Sequence, residues 1–176
     1  MLSTHSPLTS GSIDAIDWQH ATRLSSGCCG VVYEVAPGIV AKVAPRLDPT
    51  EAGIQVLLAQ EGLALPVLSY AQQMWLPPAI RRAACSPHGL RPWNDAPVRG
   101  PQPVDMLLMP RVERTCGDDD DELEDNDEVV VLAERVGQVC WQTAHRRWDC
   151  HPGNIAVYQG RYVALDFGDV SGTLRI

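Results

Sequence analysis

The chain has 176 residues, 22 acidic side chains against 14 basic ones and a net charge of −8, and it holds 14 prolines and 14 glycines. That length buries one sizeable core, and no run of about 18 apolar residues exists, so no membrane-crossing helix is expected. Residues 118–128 hold nine of the 22 acids, which leaves 13 acids against 14 Lys and Arg in the rest, a nearly neutral body without the basic surface of a nucleic-acid binder.

Residues 1–17, rich in Ser, Thr, Gly and Pro, read as a mobile leader without the basic start and apolar run of a secretory signal. From Trp18 to about Val43 strands are expected around Ser25-Ser26-Gly27-Cys28-Cys29-Gly30-Val31-Val32, with Pro37-Gly38 turning the chain. Gly27 and Gly30 permit a close backbone approach, either to phosphates or simply at the end of a hairpin. Lys42, in Ile39-Val40-Ala41-Lys42-Val43, is the only lysine beside 13 arginines. Where Arg supplies every generic positive charge, the single exception points to a place that needs a compact ammonium.

Asp48-Pro49-Thr50-Glu51 has the form of a helix start, and the helix should run to about Gln60 and stop at Gly62, with Ala52, Val56, Leu57 and Leu58 among its apolar residues. Leu65–Tyr70 and Asp105–Met109 read as strands. Residues 77–104 carry seven prolines, Arg81, Arg82, Arg91 and Arg99, and one acid. This composition is too proline-rich for a regular element, and it reads as an insertion or as a basic arm for a partner. The acidic stretch, taken as a loop over 113–128, is expected to be solvated, with a docking site for a basic partner as the alternative. From Glu128 to about His145, Leu132, Val136, Val139 and Cys140 recur at helical spacing, with Trp141 and Ala144 broadening the apolar face.

Arg147-Trp148-Asp149-Cys150-His151-Pro152-Gly153-Asn154 then sets a carboxylate and an amide on one tight loop. Asp149 could hold a hydroxyl nucleophile and Asn154 a cation. Ile155–Tyr158 and Arg161–Leu165 flank Gln159-Gly160 as a hairpin that would return Asp166, a second oxygen ligand, to the side of Asn154. Six cysteines, at 28, 29, 85, 116, 140 and 150, form no Cys-x-x-Cys pair and read as reduced thiols of a cytosolic protein. The spacing of His145, Cys150 and His151 matches no familiar zinc pattern.

The order of glycine loop, lysine strand, helix with a Glu, Met-Pro hinge, apolar helix, Asp-x-x-x-x-Asn loop, hairpin and Asp166-Phe167-Gly168 resembles that of protein-kinase-like proteins. Asp149-x-His-Pro-Gly-Asn154 is most similar to the aminoglycoside phosphotransferase branch and atypical bacterial kinases, and the resemblance covers about residues 23–170. It implies an α+β, protein-kinase-like fold. Residues 18–176 would form a single minimal domain, with 18–112 as an antiparallel-sheet N-lobe carrying one helix and 129–176 as a severely reduced helical C-lobe.

It further implies an ATP phosphotransferase using Mg2+, with Gly27 and Gly30 over the phosphates, Val32 on the base and Lys42 holding the α and β phosphates. Lys42 would pair with a helix carboxylate, Glu51 in preference to Glu61. The backbone around Met109, Arg111 and Val112 would contact adenine. Asp149 would orient or deprotonate the acceptor, and Asn154 and Asp166 would hold the metal.

The sequence departs from the family in several places. Ser25 replaces the first glycine, and Arg147 and Trp148 stand where His and Arg are common. Only eight residues follow Gly168. Such a chain resembles the minimal kinases of bacterial effectors and phages, acting in the cytoplasm, including that of a host cell. Substrate recognition would then come from residues 77–104, a protein partner or a second copy. A protein kinase acting on a hydroxyl side chain is the leading expectation. A kinase-shaped binding or inhibitor protein without phosphate transfer and a small-molecule phosphotransferase are the alternatives.

Overall fold

Runs of β-branched and small residues in Gly30–Ala36 and Ile39–Ala44, turned at Gly38 with φ +73°, form β2 and β3 of a computed structural model. The structure describes residues 13, 15–27, 30–47, 49–85, 102–116, 126–144, 148 and 150–167. The chain divides into two units, Met1–Arg46 with Leu68–Pro110 and Leu47–Val67 with Arg111–Ile176. The fold is mixed α and β. Among the described residues no helix is long and apolar enough to cross a membrane.

The first unit is built on a five-stranded sheet. Thr22–Gly27 (β1), β2, β3, Ser69–Met74 (β4) and Val104–Pro110 (β5) lie in the order β1-β2-β3-β5-β4, and every pairing is antiparallel. Register assigns the two faces. Val32, Lys42, Leu107 and Tyr70 stand opposite one another across β2, β3, β5 and β4 and so share one face. Val31, Tyr33, Ala41, Val43, Val104, Met106 and Leu108 supply the other, which is the core of this unit.

Ile13, from the end of the Ser/Thr/Gly/Pro-rich leader, is buried in that core, and Trp18 meets Tyr33 edge-on at 6.0 Å. Residues 1–12 and 14 of the leader lie outside the described residues.

The proline-rich stretch is not wholly irregular, as its composition suggested. Pro78–Ala84 forms a helix, α2, because Pro77 and Pro78 stand at its cap and first turn, where no backbone donor is required. Ile80 and Ala84, four residues apart, are buried. Arg81 pins the segment: its Nε donates to the Leu76 carbonyl (2.8 Å), a terminal nitrogen donates to the Gln102 carbonyl (3.3 Å), and its guanidinium lies 4.9 Å from the Trp75 ring centre. Arg91 and Arg99 lie outside the described residues.

The strand expected over Leu65–Tyr70 starts instead at Ser69. Pro66 has no N–H for a ladder, and the Leu65 carbonyl accepts from the side-chain amide of Gln55 (3.0 Å). Ladder bonding begins with the Leu68 N–H on the Leu108 carbonyl (2.8 Å). Between Ala71 and Met74 the register shifts; Gln73 sits at φ +55°, and its N–H donates to Asp105 Oδ1 (2.9 Å). Asp105 is only 1% exposed, so this bulge is fixed by a buried carboxylate.

The second unit contains Pro49–Gln60 (α1), Asp127–Ala144 (α3) and a small sheet of Arg114–Thr115 (β6), Ile155–Tyr158 (β7) and Arg161–Ala164 (β8). By its contacts α1 belongs here, although sequence order put it with the strands of 18–112. Its expected cap, Asp48, lies outside the described residues, but its stop is as expected. Gly62 takes φ +74°, its N–H reaches the Ala59 carbonyl, and the Leu63 N–H reaches the Leu58 carbonyl, a Schellman ending. Ile54 and Leu58 face the core, while Val56 and Leu57 are exposed.

Asn126 caps α3 by accepting from the Glu128 N–H (3.0 Å), and Asp127 and Glu128 favour the positive end of the helix dipole. Val129, Leu132, Val136 and Cys140 form the buried stripe, whose packing overrides the strand propensity of the valine run. Burial pushes the Cys140 thiol up, as suits a packing residue. Trp141 does not broaden the buried face. It is 60% exposed, one position on from Cys140 and so rotated about 100° from it.

Residues 113–128 also differ from a continuous loop. They begin with β6, whose neighbours Glu113 and Cys116 donate to the carbonyls of Val157 and Ile155 (both 2.9 Å), and they end in the first turn of α3. Residues 117–125 lie outside the described residues.

Candidate functional site

The sequence-predicted residues fall in both units. In the first, Lys42 lies on β3, which is bonded to β2 on one side and β5 on the other, and the lysine is 7% exposed. Val32 and Leu107 stand directly opposite it. Val40 and Met109, two residues along each strand, are also paired and share its face, so the ammonium rises from a largely apolar floor. Removing an ammonium from water is costly, which makes a buried lysine on an inner strand a candidate site residue.

Gly27 and Gly30 are register partners at the ends of β1 and β2, and the Cys28-Cys29 tip between them lies outside the described residues. Gly30 takes φ +137°, and a Cβ there would come within 2.6 Å of the Val43 carbonyl oxygen and 3.1 Å of Ala44 Cβ. The close approach of β2 to β3 therefore requires glycine at this position by itself. The hairpin reading and the phosphate-loop reading share this geometry.

In the second unit the first turn of α1 carries Glu51, which is 4% exposed. Glu61, its rival in the sequence, is half-exposed and bonded to Arg135 at 3.1 Å, so surface pairing accounts for it. Arg111 is exposed and Val112 half-buried in the segment after β5. Asp149, the expected catalytic carboxylate, lies outside the described residues, as does Gly168.

The backbone at Asn154 and the backbone leading into Asp166 are brought together. His151 Nδ1 accepts from the Gly153 N–H (3.1 Å), capping a 3-10 turn over Pro152–Asn154, and the Asn154 N–H donates to the His151 carbonyl (2.8 Å). The His-Pro-Gly-Asn sequence thus has a local structural reason. Gln159 at φ +52° and Gly160 at φ +71° make the tight turn of the β7–β8 hairpin, which pairs Ile155 with Ala164. The next residue, Leu165, donates its N–H to the Asn154 carbonyl (2.8 Å). Asp166 follows at φ +50°, a left-handed conformation that costs an L-residue about 1 kcal/mol and that Asp tolerates better than most. Gln73 in its bulge and Gln159 in its hairpin turn share this conformation, so the backbone marks a tight turn here.

Trp148, noted in the sequence only as a departure from the family, takes part in this turn. It is 8% exposed, its Nε1 donates to the Leu165 carbonyl (2.9 Å), and its ring lies 6.3 Å from that of Phe167. A tryptophan beside the Asp149 loop was the one available signal. Asn154 and Asp166, both half-buried, offer two hard oxygen donors. Among the described residues no group of three or more His, Cys, Asp and Glu is gathered as a metal cluster. Two protein oxygens suit Mg2+, which keeps waters and takes its remaining ligands from phosphate rather than from an all-protein cage. No protein-family model matches the sequence, and no curated protein matches it.

Proposed function

We propose that this chain is a minimal protein-kinase-like phosphotransferase that moves the terminal phosphate of ATP to a hydroxyl side chain of a protein and depends on a protein partner for efficient transfer. The observation that carries the reading is the backbone bond from Leu165 to Asn154, which sets Asn154 beside a left-handed Asp166. The single lysine, buried on an inner antiparallel strand, and the buried Glu51 on α1 support the same reading.

In this reading the acceptor hydroxyl oxygen attacks the γ-phosphorus, the bond to the β–γ bridging oxygen breaks and ADP leaves. Asp149 orients the hydroxyl and receives its proton. Lys42 holds the α and β phosphates as a compact ammonium, which a planar guanidinium cannot imitate. Glu51 is the carboxylate assigned to orient Lys42. Asn154 and Asp166 would hold Mg2+, which neutralises phosphate charge when bound. The backbone from Met109 to Val112 is assigned to adenine.

A kinase-shaped binding or inhibitor protein without transfer is the second reading, favoured by the exposed apolar residues Val56, Leu57, Val130 and Val131 on α1 and α3. Incubation with labelled ATP in cell lysate, beside an Asp149→Asn variant, separates the two. Transfer predicts label on a lysate protein that disappears in the variant. Partner capture that is identical in both forms, with no label, would leave only the binding reading.

A further inference from the structure

Leu165 is the first residue past β8, so the sheet no longer holds the chain where Asp166 begins. Its two peptide groups are fixed separately: the N–H by the Asn154 carbonyl at 2.8 Å and the C=O by the Trp148 indole at 2.9 Å. The Leu165 carbonyl and the Asp166 amide belong to one rigid peptide plane, so the indole sets the plane from which Asp166 turns. Asp166 stands at φ +50°, and any freedom in that plane lets it relax towards the commoner negative region. The same tryptophan holds the ring of Phe167 at 6.3 Å on the far side of Asp166, so the aspartate is bracketed by two contacts of one side chain.

Resting on the phosphotransferase reading, we infer that Trp148 is a positioning residue of the metal site, helping to hold Asp166 in its ligating conformation through the Nε1–H bond to Leu165. Burial and ring packing alone would make Trp148 a core filler. The directed indole donor, aimed at the peptide next to a proposed ligand, is what distinguishes positioning from filling. Partners that orient a ligand in this way are worth 10- to 100-fold in metal affinity in general.

The test is calorimetric titration of full-length protein with a non-hydrolysable ATP analogue, with and without Mg2+, which reads the Mg2+-linked gain in nucleotide affinity rather than activity. Trp148→Phe keeps a ring against Phe167 and loses the donor; Trp141→Phe is the control. A second variant, with benzothienylalanine at position 148, keeps the indole shape and replaces only the N–H, so it remains informative if the phenylalanine variant folds poorly. The expected result is unchanged Mg2+-free affinity with the Mg2+-linked gain reduced about tenfold in both. An unchanged gain in the benzothienyl variant, or equal weakening with and without Mg2+, overturns the positioning role while leaving the phosphotransferase reading intact. A wild type with no Mg2+-linked gain overturns both.

Discussion

Lys42 is held by its neighbours on two sides, with Val32 opposite it on β2 and Leu107 on β5, whereas Asp166 lies past the end of β8 and follows Leu165, whose N–H and C=O are bonded to an asparagine carbonyl and an indole. The first seat is made of backbone ladders and leaves the lysine in ordinary strand geometry. The second is made of a few specific bonds and keeps its aspartate in an unfavourable conformation. Ladder bonds do not depend on which side chain occupies the position. A change at Lys42 should therefore separate function from folding, while changes around Asp166 should alter how well the site is formed.

The ladder seat has one weak point. Gly30→Ala sets a Cβ 2.6 Å from the Val43 carbonyl at φ +137° and should cost about 3 kcal/mol, from backbone strain and overpacking together. Gly38→Ala, at φ +73° in open space, should cost only about 1 kcal/mol. Urea midpoints of the two variants measure the difference. Equal losses would mean that β2 and β3 do not approach as closely as described.

Lys42→Arg comes next in size. Phosphate transfer should fall by about a hundredfold or more, the scale seen when one electrostatic donor is lost, while far-UV circular dichroism stays as in the wild type. Retained transfer would make the lone lysine incidental. A smaller effect is expected on the turn side: Gly160→Ala, at φ +71° in the β7–β8 turn, should lose about 1 kcal/mol in chemical denaturation. No loss there would imply that the turn relaxes to another type and that the hairpin holds Leu165 less firmly. Smallest is Glu61→Gln, which breaks a half-exposed pair with Arg135 and should change stability by less than about 0.5 kcal/mol without affecting nucleotide affinity. Glu51→Gln should weaken nucleotide affinity in a calorimetric titration with the ATP analogue, and the reverse ranking would move the carboxylate role to Glu61.

Much of the fold was readable wherever local chemistry and tertiary packing agree. Pro49 through Gly62 announced α1 and its ending because first-turn proline and left-handed glycine act locally. Gln159-Gly160 marked the hairpin for the same reason. The errors arose where a partner distant in sequence decides. Leu65 has strand character, yet its carbonyl is taken by Gln55; Pro77 and Pro78 look like breakers, yet they stand where a helix needs no donor. Nothing local in Arg114-Thr115 indicated β6, which exists because β7 offers it an edge.

At the candidate site, the return of the chain before Asp166 to the backbone of Asn154 was legible from spacing and the intervening turn. Trp148 was not, because a side chain that acts through the Leu165 carbonyl leaves no residue-type pattern at its target. The structural demand on Gly30 was equally hidden, since it comes from a carbonyl 13 residues away on the next strand.

The most direct measurement is a thermal-shift titration with ATP, with and without Mg2+, of the wild type beside Asp166→Asn, a substitution that keeps side-chain shape and tolerates the left-handed backbone. The wild type is expected to show Mg2+-dependent stabilisation by ATP, and the variant a response in Mg2+ weakened at least about tenfold in apparent affinity. A wild type indifferent to Mg-ATP, or a variant that responds equally, would contradict this expectation.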